Sequence, residues 1–203
     1  MNTLVIAGGP SANVAMFAAL DRKPDKIWGC NRAVRLHDKL DCYVATDPNN
    51  QHKYDADMIE AVARGTELWL PPWYSGTELP HKEFTYDQKK PIDYSREVIA
   101  HGRAVGLVTL QLALRENPKS VYLVGFDGYA CDARSKHEIT SGKMFQAISE
   151  YPNGGRMGWW AEVNACMDKV VQQIVADRQD VRFVWFHPQI LIPPAGPNME
   201  IVR

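Results

Sequence analysis

Short apolar runs, each breaking at a polar or glycine-rich tip and separated by stretches of helical period, recur along this chain. That rhythm restricts its fold more than any other feature. Thr3 to Ala7 is the first run, ending in Gly8-Gly9-Pro10-Ser11. Lys26 to Cys30 and Cys42 to Thr46 follow, with the tips Asn31-Arg32 and Asp47-Pro48-Asn49. Thr66 to Leu70 is a fourth, Ser120 to Gly125 an almost wholly apolar fifth leading to Asp127-Gly128-Tyr129, and Val181 to Phe186 the last. Between them Val14, Phe17, Ala18 and Leu20, then Met58, Ile59, Val62 and Ala63, then Leu107, Leu110, Leu112, Ala113 and Leu114 repeat at helical spacing. A further helix is expected from about Trp160 to Ala176. Strands buried on both faces read as unbroken apolar runs, and strands alternating with helices read as βαβ units. The expectation is an α/β fold with a mainly parallel sheet and helices on both faces.

At 203 residues the chain is long enough for one large core and short for two, so residues 1–203 are expected to form a single Rossmann-like domain. Hydrophobic residues at 45% and charged residues at 23% match globular averages and exclude disorder, collagen and coiled coil. With 23 Lys and Arg against 24 Asp and Glu, no overall basic field draws the chain to a phosphate backbone, although a local basic patch is compatible with the count. No apolar stretch reaches the roughly 18 residues of a membrane span. The run to Ala7 has no basic region before it, so neither signal peptide nor membrane anchor is expected. Cys30, Cys42, Cys131 and Cys166 are scattered with no CxxC or Cys/His cluster, which fits buried thiols in a reducing cytoplasm rather than a structural zinc site.

Two segments depart from the rhythm. Residues from about 71 to 100 hold Pro71-Pro72-Trp73-Tyr74 and much charge, and residues from about 130 to 158 are polar and glycine-rich. Both read as irregular loops, the second as a lid. The tail after His187-Pro188 carries Pro193, Pro194 and Pro197 and reads as an extended cover or a homo-oligomer contact.

Ligands of open α/β sheets bind beyond the carboxyl ends of the strands, where loops diverge and helix N-termini present free N–H groups. The polar tips fall at such ends. Gly8, Gly9 and Ser11 make a turn in which backbone donors can approach a phosphate or ribose, although the turn is neither a GxGxxG fingerprint nor a P-loop. A tight turn with Ser11 as N-cap of the next helix accounts for the same residues equally well. Asn31 and Asp47 suit hydrogen bonds to a base or ribose, and equally suit turns and caps. Asp127 either orients its loop or holds a hydroxyl. Their joint placement at successive strand ends points to a small-molecule site.

The segment Leu4 to Ser11, then Gly29-Cys30-Asn31, then Thr46-Asp47-Pro48, resembles the nucleotide-binding half of the bacterial CMP-sialic-acid sialyltransferases of GT-A-like fold, and the MptE-like proteins of phages and archaea. Gly106, Leu112-Ala113, Val121 to Gly125 and Asp127 are similar to the same families at the same spacing. The resemblance covers about the first 50 residues and the span 104 to 129. It implies a phage-type member in which Gly8, Gly9, Asn31, Asp47, Gly106 and Asp127 contact a nucleotide donor. It also implies that Tyr129 touches the donor phosphate and assists departure of the nucleotide. The stretch 153–160, where the sialyltransferases place their catalytic histidine, has none here.

Other bases therefore come into question. His101, with Arg103 beside it to neutralise phosphate, lies just upstream of the helix that should face the donor. His137 sits in the second polar segment, whereas His37, His52, His81 and His187 read as surface or packing residues. Trp159-Trp160 fit either a stacking platform or a hydrophobic helix start. The leading expectation is a glycosyltransferase that takes a nucleotide-sugar donor and needs neither metal nor resident cofactor. His101 serves as base, Tyr129 and Arg103 serve the leaving group, and the acceptor is open among a glycan, a small molecule and a modified base in phage DNA. The MptE-like alternative is diphosphate transfer from ATP to a pterin-like alcohol, with Mg²⁺ held by Asp47 and Asp127. A third is a nucleotide-binding module without catalysis.

Overall fold

The structure, a computed structural model, describes residues 1–9, 11–46, 51–74, 77–87, 98–100, 104–126, 170–186 and 196–202. In chain order these form β1 (Asn2–Ile6), α1 (Val14–Ala18), β2 (Lys26–Cys30), α2 (Ala33–Leu36), β3 (Cys42–Val44), α3 (Gln51–Ala63) and β4 (Glu67–Leu70). They continue with β5 (Lys82–Glu83), β6 (Thr85–Asp87), β7 (Val98–Ala100), α4 (Val105–Leu114) and β8 (Ser120–Val124). A helix over 170–177, here α5, precedes β9 (Arg182–Phe186) and β10 (Met199–Val202).

Eight of these strands make one sheet in the order β10-β9-β8-β1-β2-β3-β4-β5, and every pairing in it is parallel. The chain builds outward from β1 to β5, returns through α4 to the other side of β1, and builds outward again from β8 to β10. The order of strands thus reverses between β1 and β8. Strands β6 and β7 form a separate parallel pair.

Alternate residues of each strand feed two cores. Val5, Trp28, Val44, Leu123 and Trp185 face α4 and α5, which contribute Leu107, Leu110, Leu114, Val171 and Ile174. Leu4, Ile6, Tyr43, Leu68, Val124 and Phe186 face the side covered by α2 and α3, with Val34, Met58 and Ala61. Helices therefore cover both faces of the sheet, as the unbroken apolar strands require. α4 is buried along its whole length, from Gly106 to Leu114, against β1, β2 and β3 of the sheet and against β7, and its two polar residues turn back on the helix, Thr109 Oγ1 to the Val105 carbonyl and Gln111 Nε2 to the Leu107 carbonyl. It ends at Leu114 with Arg115 as C-cap, and Asn117, with φ of 50°, then turns the chain left-handed before Pro118.

The structure corrects several expectations. Ser11 does not cap α1: Asn13 is the N-cap and its Oδ1 accepts the Met16 N–H at 3.1 Å. α1 is short, buries no residue and leaves Val14 77% exposed. α2 was not foreseen, since four residues are too few to show a period. In α3 the inward face is Asp57, Met58 and Ala61, whereas Ile59 is 57% exposed, turned away by the 100° step per residue. The segment 71–100, expected to be irregular, contains β5, β6 and β7. Part of the tail, expected as a cover, is the edge strand β10. The expected lid at 130–158 lies outside the described residues. No helix among the described residues is long and apolar enough to cross a membrane.

Gly125 and Gly65 both adopt left-handed backbone, with φ of 80° and 82°. A β-carbon at Gly65 would meet nothing within 4 Å, whereas one at Gly125 would lie 2.5 Å from the Ala7 carbonyl oxygen. Gly65→Ala should cost only the left-handed penalty, about 1–2 kcal/mol. Gly125→Ala should cost more than about 3 kcal/mol, because strain adds to a clash with backbone inside the sheet. Urea unfolding of the two variants measures the difference, and equal costs would mean that the Gly125 contact with Ala7 relaxes.

Candidate functional site

At the reversal of strand order, where open parallel sheets carry their binding crevice, the turns that leave β1, β2 and β8 come together. Ile6 pairs with Gly29 on one side and Val124 on the other, so the three strands end level with one another. Beyond them the turns stay joined: Ala7 N–H donates to Val124 O at 2.8 Å, and Gly9 N–H to Gly125 O at 2.8 Å. Gly125 N–H donates to the Ser11 hydroxyl at 2.7 Å, and Ser11 is buried. Ser11 therefore fastens the β1 turn to the β8 turn. Its contribution to a site is the shape of that floor, with the hydroxyl turned into the protein.

Gly8 and Asn31 face each other above this floor. A β-carbon on Gly8 would lie 3.7 Å from Asn31 Nδ2, so the carboxamide hangs over a turn that carries no side chain. Asn31 is half-buried and left-handed, with φ of 54°. Its carbonyl accepts a hydrogen bond from the hydroxyl of Tyr43, which is fully buried in β3. Immediately after Asn31 the chain enters α2, which rests on Gly29, where a β-carbon would come within 2.6 Å of Ala33 Cβ. α2 is tied to α3 by the Arg35–Asp57 ion pair, in which Asp57 is 1% exposed. The Asp57 hydrogen bond raises the Arg35 pKa above its ordinary value, and the Asp57 Oδ2 has no hydrogen-bond partner among the described residues.

The third wall is the start of α4. Gly106 is buried, and a β-carbon there would meet Ala7 Cβ at 3.1 Å and the Phe126 ring at 3.2 Å. Only glycine lets the first turn of α4 come this close to the end of β1. The N-cap, Ala104, has no side-chain acceptor of its own, so among the described residues no side chain caps the positive end of the helix dipole, which lies beside the end of β1.

Gly8, Gly9, Ser11, Asn31 and Gly106 are thus brought together at one edge. Asp47, His101, Arg103, Asp127, Tyr129 and His137 lie outside the described residues. Their attachments are at that edge for four of them: Asp47 follows buried Thr46 after β3, Asp127 follows buried Phe126 after β8 with Tyr129 two residues on, and Arg103 directly precedes Ala104. His37 packs edge-on against Phe17, with ring centroids 5.1 Å apart, and His81 is paired weakly with Glu83. Among the described residues no group of three or more His, Cys, Asp or Glu is placed to hold a metal ion. Tyr43 and Gly125 were missed as site-forming residues. The signal available for Tyr43 was chemical: a tyrosine inside a buried strand must bring its hydroxyl to a partner.

No protein-family model matches the chain, no curated protein matches it, and no solved structure is significantly similar to it.

Cys30 ends β2 beneath this floor, fully buried, with its Sγ 3.6 Å from Ile6 O. Burial pushes its thiol up to about 12, against a smaller opposing pull from Thr109. Burial does the same for Cys42, also to about 12, with Lys26 opposing. In the folded protein at about pH 8 neither thiol should react with an aromatic disulfide reagent, and both should react on unfolding, since the thiolate is the nucleophile. Peptide mapping after labelling checks this. Stoichiometric modification of the Cys30 peptide in folded protein would show that the floor of the crevice opens.

Proposed function

We propose that the crevice at the ends of β1, β2 and β8 binds a nucleotide. On this reading the protein is a Rossmann-like transferase that moves a glycosyl group from a nucleotide-sugar donor to a hydroxyl acceptor without a metal ion. The observation that carries the reading is the meeting, at the reversal of strand order, of a side-chain-free turn at Gly8, the Asn31 carboxamide and the N-terminal turn of α4, packed on Ala7 through Gly106. Parallel sheets bind nucleotides at such reversals because two neighbouring loops diverge there, and a helix start adds favourable charge for phosphate.

In the proposed reaction the acceptor hydroxyl attacks the anomeric carbon, and its proton passes to the His101 imidazole. The bond from that carbon to the nucleotide phosphate breaks with inversion. The Tyr129 hydroxyl donates to the departing phosphate oxygen, and Arg103 balances its charge. The position of Ala104 at the crevice supports His101 over His137, because His101 is three residues upstream of it in the chain. Diphosphate transfer from ATP would instead require Asp47 and Asp127 to share Mg²⁺. Their strands, β3 and β8, are separated by β2 and β1, so the strand ends stand about 14 Å apart at ordinary strand spacing. That separation favours the metal-free reading.

A thermal-shift panel of CMP, UDP, GDP, ADP and ATP, each with and without Mg²⁺, tests the binding step. A nucleotide at about 100 times its Kd should add about 2.7 kcal/mol, or roughly 5–10 °C for a chain of this size. Gly8→Val should melt like the wild type yet lose the shift, because Gly8 does not need left-handed backbone and its branched replacement would project into the crevice. No shift with any nucleotide would overturn the reading, and a shift confined to ATP with Mg²⁺ would replace it with diphosphate transfer.

The chemistry has its own test. Tyr129→Phe should lower kcat while leaving donor Kd nearly unchanged, as expected for a hydrogen bond that strengthens while charge develops on the leaving phosphate. His101→Ala should lower kcat by about 10² to 10⁴, and His137→Ala should not. Release of free nucleotide from saturating donor measures all three, and the reverse ranking of the histidines would refute the assignment.

A further inference from the structure

We propose that Tyr43 is a positioning residue for nucleotide recognition: its hydroxyl holds Asn31 in the left-handed turn that lays the carboxamide across Gly8, and it thereby sets affinity for the nucleoside. The inference rests on the nucleotide reading of the crevice and names what makes that site selective.

The ring of Tyr43 is fully buried in the core beneath α2 and α3, and a phenylalanine would satisfy that packing. The hydroxyl has a different task. It reaches one strand across, past the end of β2, and donates to the Asn31 carbonyl. Asn31 and Asn117 are the non-glycine residues with positive φ among the described residues, and only Asn31 stands at the carboxyl edge of the sheet. Asparagine tolerates this conformation better than most residues but does not prefer it, so one buried hydrogen bond is enough to decide the balance. The far side of Asn31 is fixed as well, since α2 begins two residues on and is held by the Gly29 contact and the Arg35–Asp57 pair. The carboxamide is consequently presented to a ligand already oriented, with one acceptor and two donors for a base edge or ribose hydroxyl.

The test is a double-mutant cycle on the full chain, using the nucleotide that gives the largest thermal shift and reading Kd by calorimetry. Tyr43→Phe should weaken binding about 10-fold with only a small change in melting temperature. Asn31→Ala should weaken it by a similar factor, and the double variant should bind no more weakly than Asn31→Ala alone. Asn31→Gly, which enters the left-handed turn freely, should bind as weakly as Asn31→Ala, separating loss of the carboxamide from loss of the turn. Wild-type affinity in Tyr43→Phe, or losses that multiply in the double variant, would overturn the role of Tyr43 while leaving nucleotide binding intact. Failure of the wild type to bind any of the nucleotides would overturn the nucleotide reading and this inference together.

Discussion

At the centre of the sheet the turns that follow β1 and β8 touch backbone to backbone, and the rest of the architecture is arranged around that contact. The Ala7 and Gly9 N–H groups continue the parallel ladder beyond the strand ends into Val124 and Gly125, and the Gly125 N–H closes onto the Ser11 hydroxyl. A side chain at Gly125 would strike the Ala7 carbonyl, so the closeness of the two turns depends on that glycine. The two turns are locked together at their base, and they form a fixed floor at the reversal of strand order.

The floor needs support from below, and α4 supplies it. This helix is buried along its length against the sheet and β7, and its first turn is pressed against Ala7 and Phe126 through Gly106. The same placement aims its N-terminus at the crevice. Packing and electrostatics are therefore set by one feature: a larger residue at 106 would push the helix start, and the positive end of its dipole, away from the end of β1. On the opposite face α2 makes a similar approach through Gly29. Glycines at 29, 106 and 125 let α2, α4 and the β8 turn pack closely at the carboxyl ends of β2 and β1.

The α/β class was legible because buried parallel strands leave an unmistakable pattern: Ser120 to Val124 and Leu4 to Ile6 have no polar face to show. The gathering of Gly8, Gly9 and Asn31 at one edge was legible too, since parallel strands all present their carboxyl ends on the same side, whereas Gly106, in the first turn of α4, was singled out only by the family resemblance. Other features were hidden for physical reasons. The two-residue β5 and four-residue α2 are shorter than any period that could reveal them. The cap of α1 went to Asn13 and not Ser11, because a tertiary partner, the Gly125 N–H, outcompeted the local one for the serine hydroxyl. β10 was obscured by the prolines before it, which read as a tail although the chain beyond them pairs with β9. The Tyr43–Asn31 bond joins residues of different strands, and no local pattern announces which carbonyl a buried phenol will find.

On the proposed reading, recognition and chemistry fall to different stretches of the chain. Gly8, Ser11, Asn31, Tyr43 and Gly106 belong to strand ends and helix starts, where ladder bonds, buried hydroxyls and close glycine contacts leave little freedom; such positions suit recognition, which gains from groups oriented before the ligand arrives. The residues proposed for chemistry, His101, Arg103 and Tyr129, are attached one to three residues outside those supports, beyond Ala104 and Phe126. In the proposed transfer reaction these groups adjoin the floor directly in sequence, so the chemistry is tied to it by only a few residues of chain. Tyr43 joins core to floor, its ring built into the core and its hydroxyl donating to the backbone carbonyl of Asn31, whose carboxamide lies over Gly8.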